Sequence, residues 1–144
     1  MTEIENAIRW NAAALGIPAP ETELVEELMT PTTLAALSID GKYIAVKKTA
    51  SADKRTVWLA ISHEMRHAWQ IKNTGWINKS YKQSGSADSI DAYNNQLAEI
   101  DAHAWSFMVM ATLFGIRPMF ERQLGADTMR RIEKRITEIQ KEMQ

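Results

Sequence analysis

Apolar positions recur at helical spacing in four stretches of this chain and alternate as strands in one. From Thr2 to Leu15, the residues Ile4, Ala7, Ile8, Ala12 and Leu15 share one face, Thr2 offers a cap and Gly16 a stop, which predicts a helix with Trp10 on its flank. Pro18 and Pro20 then break the chain, and Glu21 to Met29 suits a short helix or a strand equally. Leu34 to Ile39 and Tyr43 to Lys48 flank Asp40-Gly41, a pair favoured in two-residue turns because both positions tolerate positive φ, and predict a hairpin. After a polar loop from Thr49 to Lys54, Arg55 to Ile71 predicts a helix whose stripe of Trp58, Ile61, Met65, Ala68 and Trp69 faces a core.

Asn73 to Ser89 carries Gly75, Gly85 and several hydroxyl residues, so it reads as a long surface loop with a helical turn near Lys79 to Lys82. Ser89 or Asp91 can cap the next helix, expected to run to Phe114 with Leu97, Ile100, Ala104, Phe107, Ala111 and Phe114 buried and Gly115 as its stop. Pro118 fits the first turn of a short helix, and Asp127 can cap a last one in which Met129, Ile132, Ile136, Ile139 and Met143 alternate by three and four. That stripe suits docking on the domain, with pairing to a second copy or lying across the cleft as an inhibitory arm as the alternatives, so a monomer or a weak dimer through this helix is expected. The order of elements predicts an α+β fold in a single domain over 1–144, with a core at about 21–115 and a helical extension at about 116–144.

Composition narrows the partners. The 144 residues are 45% apolar and 24% charged, which suits one globular domain with a sizeable core. A net charge of -1 supplies no basic field for nucleic acid or for an anionic membrane surface. The absence of cysteine excludes disulfides, thiolate metal sites and a cysteine nucleophile. The opening MTEIENAIRW carries acids where a secretory leader carries basic residues, and the longest apolar run, Ala102 to Phe114, is too short to span a bilayer. A cytoplasmic location is therefore expected.

Against this ordinary background, HEMRH at 63 to 67 holds two of the three histidines. On a helix His63 and His67 stand one turn apart and project from one face at the separation a metal ion needs, with Glu64 beside them, as in zinc-dependent hydrolases. A catalytic zinc takes a third protein ligand and keeps one position for water. Cysteine is not available, and the long form H-E-x-x-H-x-x-G-x-x-H fails because Gln70 and Asn73 stand where glycine and histidine are required. The stretch EIDAH supplies Glu99, Asp101 and His103. Glu99 and His103, four apart, share a helix face, whereas Asp101 is about 200° round from Glu99, so the first two can point at one ion.

HEMRHAWQ followed by YNNQLAEIDAHAW resembles the gluzincins, zinc peptidases that pair a helical HExxH with a downstream helix carrying Glu-x-x-x-Asp or Glu-x-x-Ala-Asp, and in particular the small single-domain minigluzincins of bacteria and their phages. The likeness covers roughly Glu21 to Phe114. It implies a zincin-like fold: an N-terminal helix, a small, mostly antiparallel sheet with a hairpin, the motif helix and a glutamate helix. It also implies one Zn²⁺ per chain held by His63, His67 and Glu99, with Glu64 as general base and acid for a metal-activated water attacking a peptide bond, so a protein or peptide substrate is expected. His103 departs from the pattern, standing where the family has the aspartate or asparagine that braces a zinc histidine. Asp101 or His103 could take that bracing role, and His103 could instead be a ligand, in place of Glu99 or with it in a closed site. Tyr81, Tyr93 and His103 are the candidates for stabilising a developing oxyanion, and the hairpin strand from Tyr43 to Lys48 could pair with an extended peptide. The alternative is a non-catalytic module, in which a zinc ion only ties two helices together or a degenerate protease fold binds a partner.

Overall fold

Thr2 accepts the Glu5 N–H at 3.2 Å and Gly16 closes the other end in the left-handed conformation, so the first helix, α1 (Glu3–Leu15), has the ends its sequence predicts. A computed structural model describes residues 2–28, 33–49, 53–78, 80–82, 87, 89–116 and 124–143. After α1 come β1 (Glu21–Val25), β2 (Ala35–Leu37), β3 (Tyr43–Lys47), α2 (Lys54–Asn73), α3 (Ile90–Asn94), α4 (Leu97–Phe114) and α5 (Ala126–Glu142). The described residues thus form a mixed α+β structure of five helices and a three-stranded sheet. None of the helices among them is long and apolar enough to cross a membrane.

Glu21 to Val25, ambiguous in the sequence, is a strand, and it pairs in parallel with β3. β2 pairs with β3 antiparallel, giving the order β1-β3-β2, so the sheet has one parallel and one antiparallel pairing and is not mostly antiparallel. β3 therefore lies in the middle, where both edges are taken, and cannot receive a peptide strand as expected; the outer strands are β1 and β2. The hairpin at Asp40-Gly41 is present, but its turn begins two residues early, with the Gly41 N–H bonded to Ser38 C=O at 2.9 Å. Only Gly41 has positive φ, because Asp40 Oδ1 instead accepts from Ser38 Oγ and the Lys42 N–H and holds the wider turn together.

Asp53 caps α2 through the Thr56 N–H. Along α2, Trp58, Ile61, Met65 and Ala68 are buried as the periodicity predicts, while Trp69 is half-buried. The expected single helix from Asp91 to Phe114 is broken at Asn95 and Gln96, with Ser89 Oγ capping its first piece at the Ala92 N–H. The break has a physical cause in side chains that serve other segments. Gln96 exchanges two hydrogen bonds with the Lys82 backbone, at 2.7 and 2.8 Å, and Asn95 Oδ1 accepts from Thr128 and Arg131 of α5. In α4 the expected stripe is only part of the buried surface: Leu97 and Ala111 are exposed, whereas Ala98, Ala102, Trp105, Val109 and Met110 are covered. The helix is packed by α2 on one side and α5 on another, so one narrow stripe does not describe it.

α5 docks on α4, burying Ile132 and Ile139 against it and leaving Met143 at its end 56% exposed. Gly125 rather than Asp127 stands at its N-cap; Asp127 lies inside the first turn and pairs with Arg130 at 2.7 Å. The helix expected at Pro118 lies outside the described residues, and so does Lys79 of the turn expected at 79–82, where the Tyr81 N–H bonds Asn78 C=O at 3.1 Å.

Candidate metal centre

The site is built where α2 and α4 cross, and the residues that carry it are fixed by their positions on those two helices. His63 and His67, one turn apart on α2, turn their Nε2 atoms to within 3.2 Å of each other. Glu99, in the first turn of α4, meets both: Oε1 is 3.0 Å from His63 Nε2, and Oε2 is 2.7 Å from His67 Nε2. Ligands about 2.0–2.1 Å from a tetrahedral zinc stand about 3.3 Å apart, so these three groups already converge at close to that separation. Glu99 is fully buried, yet the carboxylate meets two imidazoles and the Tyr81 hydroxyl, which donates to Oε2 at 2.6 Å.

Hydrogen bonds behind His67 set its tautomer. Gln70 Nε2 donates to Ala98 C=O and to Asp101 Oδ2, both at 2.8 Å, so its Oε1 is left to accept from His67 Nδ1, also at 2.8 Å. A proton on Nδ1 leaves Nε2 as the atom offered to Glu99 or to a metal. Burial alone would lower the His67 pKa, but the Glu99 charge and hydrogen bond outweigh it and carry it to about 9, so the metal-free pair is an imidazolium against a carboxylate. Burial likewise opposes ionisation of Glu99, and the charges of His67 and His63 overcome it, holding the carboxyl well below its usual range. A bound cation would take the place of that proton.

Glu64 is half-buried beside the two histidines, and burial raises its pKa against the lowering effect of His67, His63 and a hydrogen bond from the Leu37 backbone. It lies on a cleft of about 400 Å³ that His67, Tyr81 and Tyr93 also line, together with the apolar side chains of Leu37, Ile39, Ile71 and Ile77. Both phenols are pushed up by burial and then by the Glu99 charge, so they stay protonated and can donate. The sequence did not rank the three oxyanion candidates; the cleft takes in Tyr81 and Tyr93, and His103 lies outside its lining.

His103 joins the cluster from behind. Its ring lies 4.5 Å from that of His63, its Nε2 is 3.1 Å from Asn94 Oδ1, and one ligand atom each of His63, Glu99 and His103 fit within 4.8 Å of one another. Burial, followed by the His63 charge, drops its pKa to about 3, so the ring is neutral. Asp101 points away, as its angular position predicts. Its carboxylate is buried between Arg66 and Arg135, with Arg66 Nε at 2.7 Å from Oδ2 and Arg135 Nε at 2.7 Å from Oδ1, and it reaches His67 only through Gln70. Asp101 thus braces no histidine directly, and its carboxylate is anchored by Arg66.

Two residues of the site escaped the sequence reading. Gln70 had a signal, since it sits three residues after His67 on the same helix face. Asn94 had none, because its contact with His103 depends on the break before α4. No family model, curated protein or solved structure matches this chain.

Proposed function

We propose that the protein is a zinc-dependent peptidase of gluzincin type on a zincin-like fold, with His63, His67 and Glu99 as ligands and Glu64 as general base and acid. The observation that carries this reading is the convergence of His63 Nε2, His67 Nε2 and the Glu99 carboxylate within 3.2 Å, with Glu64 beside them on an open cleft. A bound zinc ion would supply a Lewis acid that lowers the pKa of a water and polarises the scissile carbonyl. Glu64 takes the proton of the attacking water and returns it to the amine as the C–N bond breaks, so no covalent intermediate is needed. Tyr81 and Tyr93, both protonated and both on the cleft, would donate to the developing oxyanion, Tyr81 by turning its single O–H there from Glu99 Oε2.

A peptide substrate is supported by the strand beside the site. The residues flanking β2, Leu34 and Ser38, spend backbone groups on β3, at 2.9 and 2.8 Å, which turns those of Ala35 and Leu37 away from β3, with the Leu37 N–H given to the Glu64 carboxyl. An extended peptide can add to that edge, with an apolar side chain among Leu37, Ile39, Ile71 and Ile77.

A second reading rests on His103. If its ring turned to the ion, three histidines and Glu99 would close the coordination shell and leave a structural zinc with no place for water. Metal content and peptide cleavage of protein purified without chelator, for wild type and Glu64→Gln, separate the two. About one zinc per chain with cleavage lost in the variant supports the peptidase. Zinc without cleavage favours the closed site, and normally folded protein that takes up no zinc overturns both.

A further inference from the structure

α5 looks like an appendage, yet one of its side chains is tied to the candidate metal ligand by an unbroken line of hydrogen bonds, the outermost part-buried and the rest buried. Arg135 Nε donates to Asp101 Oδ1 at 2.7 Å. Asp101 Oδ2 accepts from Gln70 Nε2 at 2.8 Å, and Gln70 Oε1 accepts from His67 Nδ1 at 2.8 Å. Asp101 and Gln70 have no exposed surface, and Arg135, though on an outer helix, is only 14% exposed at its side chain.

The partners of Asp101 show why the α5 arginine matters. Arg66 bonds both carboxylate oxygens, Nε to Oδ2 at 2.7 Å and Nη2 to Oδ1 at 3.0 Å, and its guanidinium is fixed 3.7 Å over the Trp69 ring. Oδ2 is shared between Arg66 and Gln70, and Oδ1 between Arg66 and Arg135. Without Arg135, Oδ1 keeps only the longer Arg66 bond, and the plane that the carboxylate offers to Gln70 is set by the Arg66 fork alone. Charge balance points the same way: a single arginine would neutralise Asp101, so the second cation is not required for burial and acts on orientation. Arg135 also lies 5.6 Å over the Trp76 ring, in the segment that leads from α2 to Tyr81.

We propose that Arg135 is a positioning residue for the metal site: docking of α5 orients the His67 ring through Asp101 and Gln70 and so sets the affinity for the ion. This rests on the reading that His67 is a metal ligand. Direct outer partners of metal ligands change affinity by about 10–100-fold, and a partner two bonds further back should give about tenfold or less.

The test uses the full chain as wild type, Arg135→Met, Arg135→Lys, Gln70→Met and the double variant Arg135→Met with Gln70→Met. Zn²⁺ affinity is read by competition with a chromophoric chelator, and the His67 ring nitrogens by NMR on metal-free protein. We expect Arg135→Met to weaken Zn²⁺ binding by about tenfold and to shift the His67 Nδ1 resonance, Arg135→Lys to restore most of both, and the double variant to bind no more weakly than Gln70→Met alone. Equal losses from Arg135→Met in the presence and absence of Gln70 would overturn the relay, as would an unmoved His67 resonance. A wild type that binds no zinc would overturn the peptidase reading instead, and the resonance in the metal-free chain would still decide the relay.

Discussion

Gln70 Oε1 lies 2.8 Å from His67 Nδ1 and accepts its proton, while the amide nitrogen of the same side chain donates to Asp101 and Ala98. A side chain that must accept at one end and donate twice at the other cannot be replaced by its acid. Gln70→Glu would keep the bond to His67 but set a second carboxylate against Asp101 in a fully buried position. The expected loss is about 3 kcal/mol or more, which for a chain of this size lowers Tm by roughly 6–12 °C. A melting temperature within about 2 °C of wild type would mean that the two amide donors are dispensable.

Tyr81 and Tyr93 share the cleft, and the Tyr81 hydroxyl donates to Glu99 Oε2 at 2.6 Å, beside the proposed ion site. With the phenol held protonated, Tyr81→Phe removes a donor without removing a ligand. Peptide cleavage should fall in kcat by about 10²–10³-fold, the range for losing one oxyanion donor, while zinc content per chain stays at the wild-type level. Parallel loss of zinc would instead assign Tyr81 to holding Glu99.

The parts of the site that could be read along the chain are those governed by spacing within one helix. His63, Glu64 and His67 are related by a single turn, and Glu99 and Asp101 by their angle on α4, so their directions follow from helix geometry alone. Asp101 fell on the side away from the histidines for that reason. The break at Asn95 and Gln96 was not legible, because it is held by bonds to Lys82 and Arg131, each remote in the chain. The same holds for β1, whose ETELV pattern suits helix or strand until β3 is there to pair with it. Arg135 reads as one surface charge among many on an amphipathic helix, and only tertiary packing brings it to Asp101.

The polar groups of the site pair with one another. Glu99 accepts from His63, His67 and Tyr81, and no buried side-chain polar atom among the described residues lacks a hydrogen-bond partner. Removal of metal by a chelator should therefore leave a folded chain that melts cooperatively, with its helical circular dichroism intact. Zinc added back should raise Tm in a saturable way, by about 2.7 kcal/mol of stabilisation at a hundredfold excess over Kd. Collapse of the helical signal on chelation would mark a structural ion and favour the closed site with His103.

Asp53 caps the helix that carries HEMRH, accepting from the Thr56 N–H and hydroxyl, and these bonds lower its pKa below the usual carboxylate value. A carboxyl with a depressed folded-state pKa adds stability above its unfolded pKa and loses it as pH falls through the folded value. Asp53→Ala should accordingly lower Tm at pH 6, and the gap from wild type should shrink as the pH is brought down toward 2. Melting curves across that range check it; a gap that stays constant or widens in acid would show that the ionised cap is not the source.

Asn11 ties three helices at one fully buried point. Its Nδ2 donates to Ala7 C=O at 2.9 Å and to Ser62 Oγ of α2 at 3.1 Å, and its Oδ1 accepts from Trp105 Nε1 of α4 at 2.8 Å. Ser62 precedes His63, and Trp105 follows Glu99 by six residues, so this contact ties together the two helices that carry the candidate ligands. Asn11→Ala leaves the Trp105 indole N–H without its acceptor and the Ser62 hydroxyl without its donor in the core, while Ala7 C=O keeps its helical bond, at a cost of about 1–3 kcal/mol. Asn11→Leu fills the volume but strands the same groups, so filling the space should not rescue stability. Denaturant unfolding of both variants decides between polar pairing and packing. If the leucine variant matches wild type while the alanine variant falls, packing alone is what α1 contributes there.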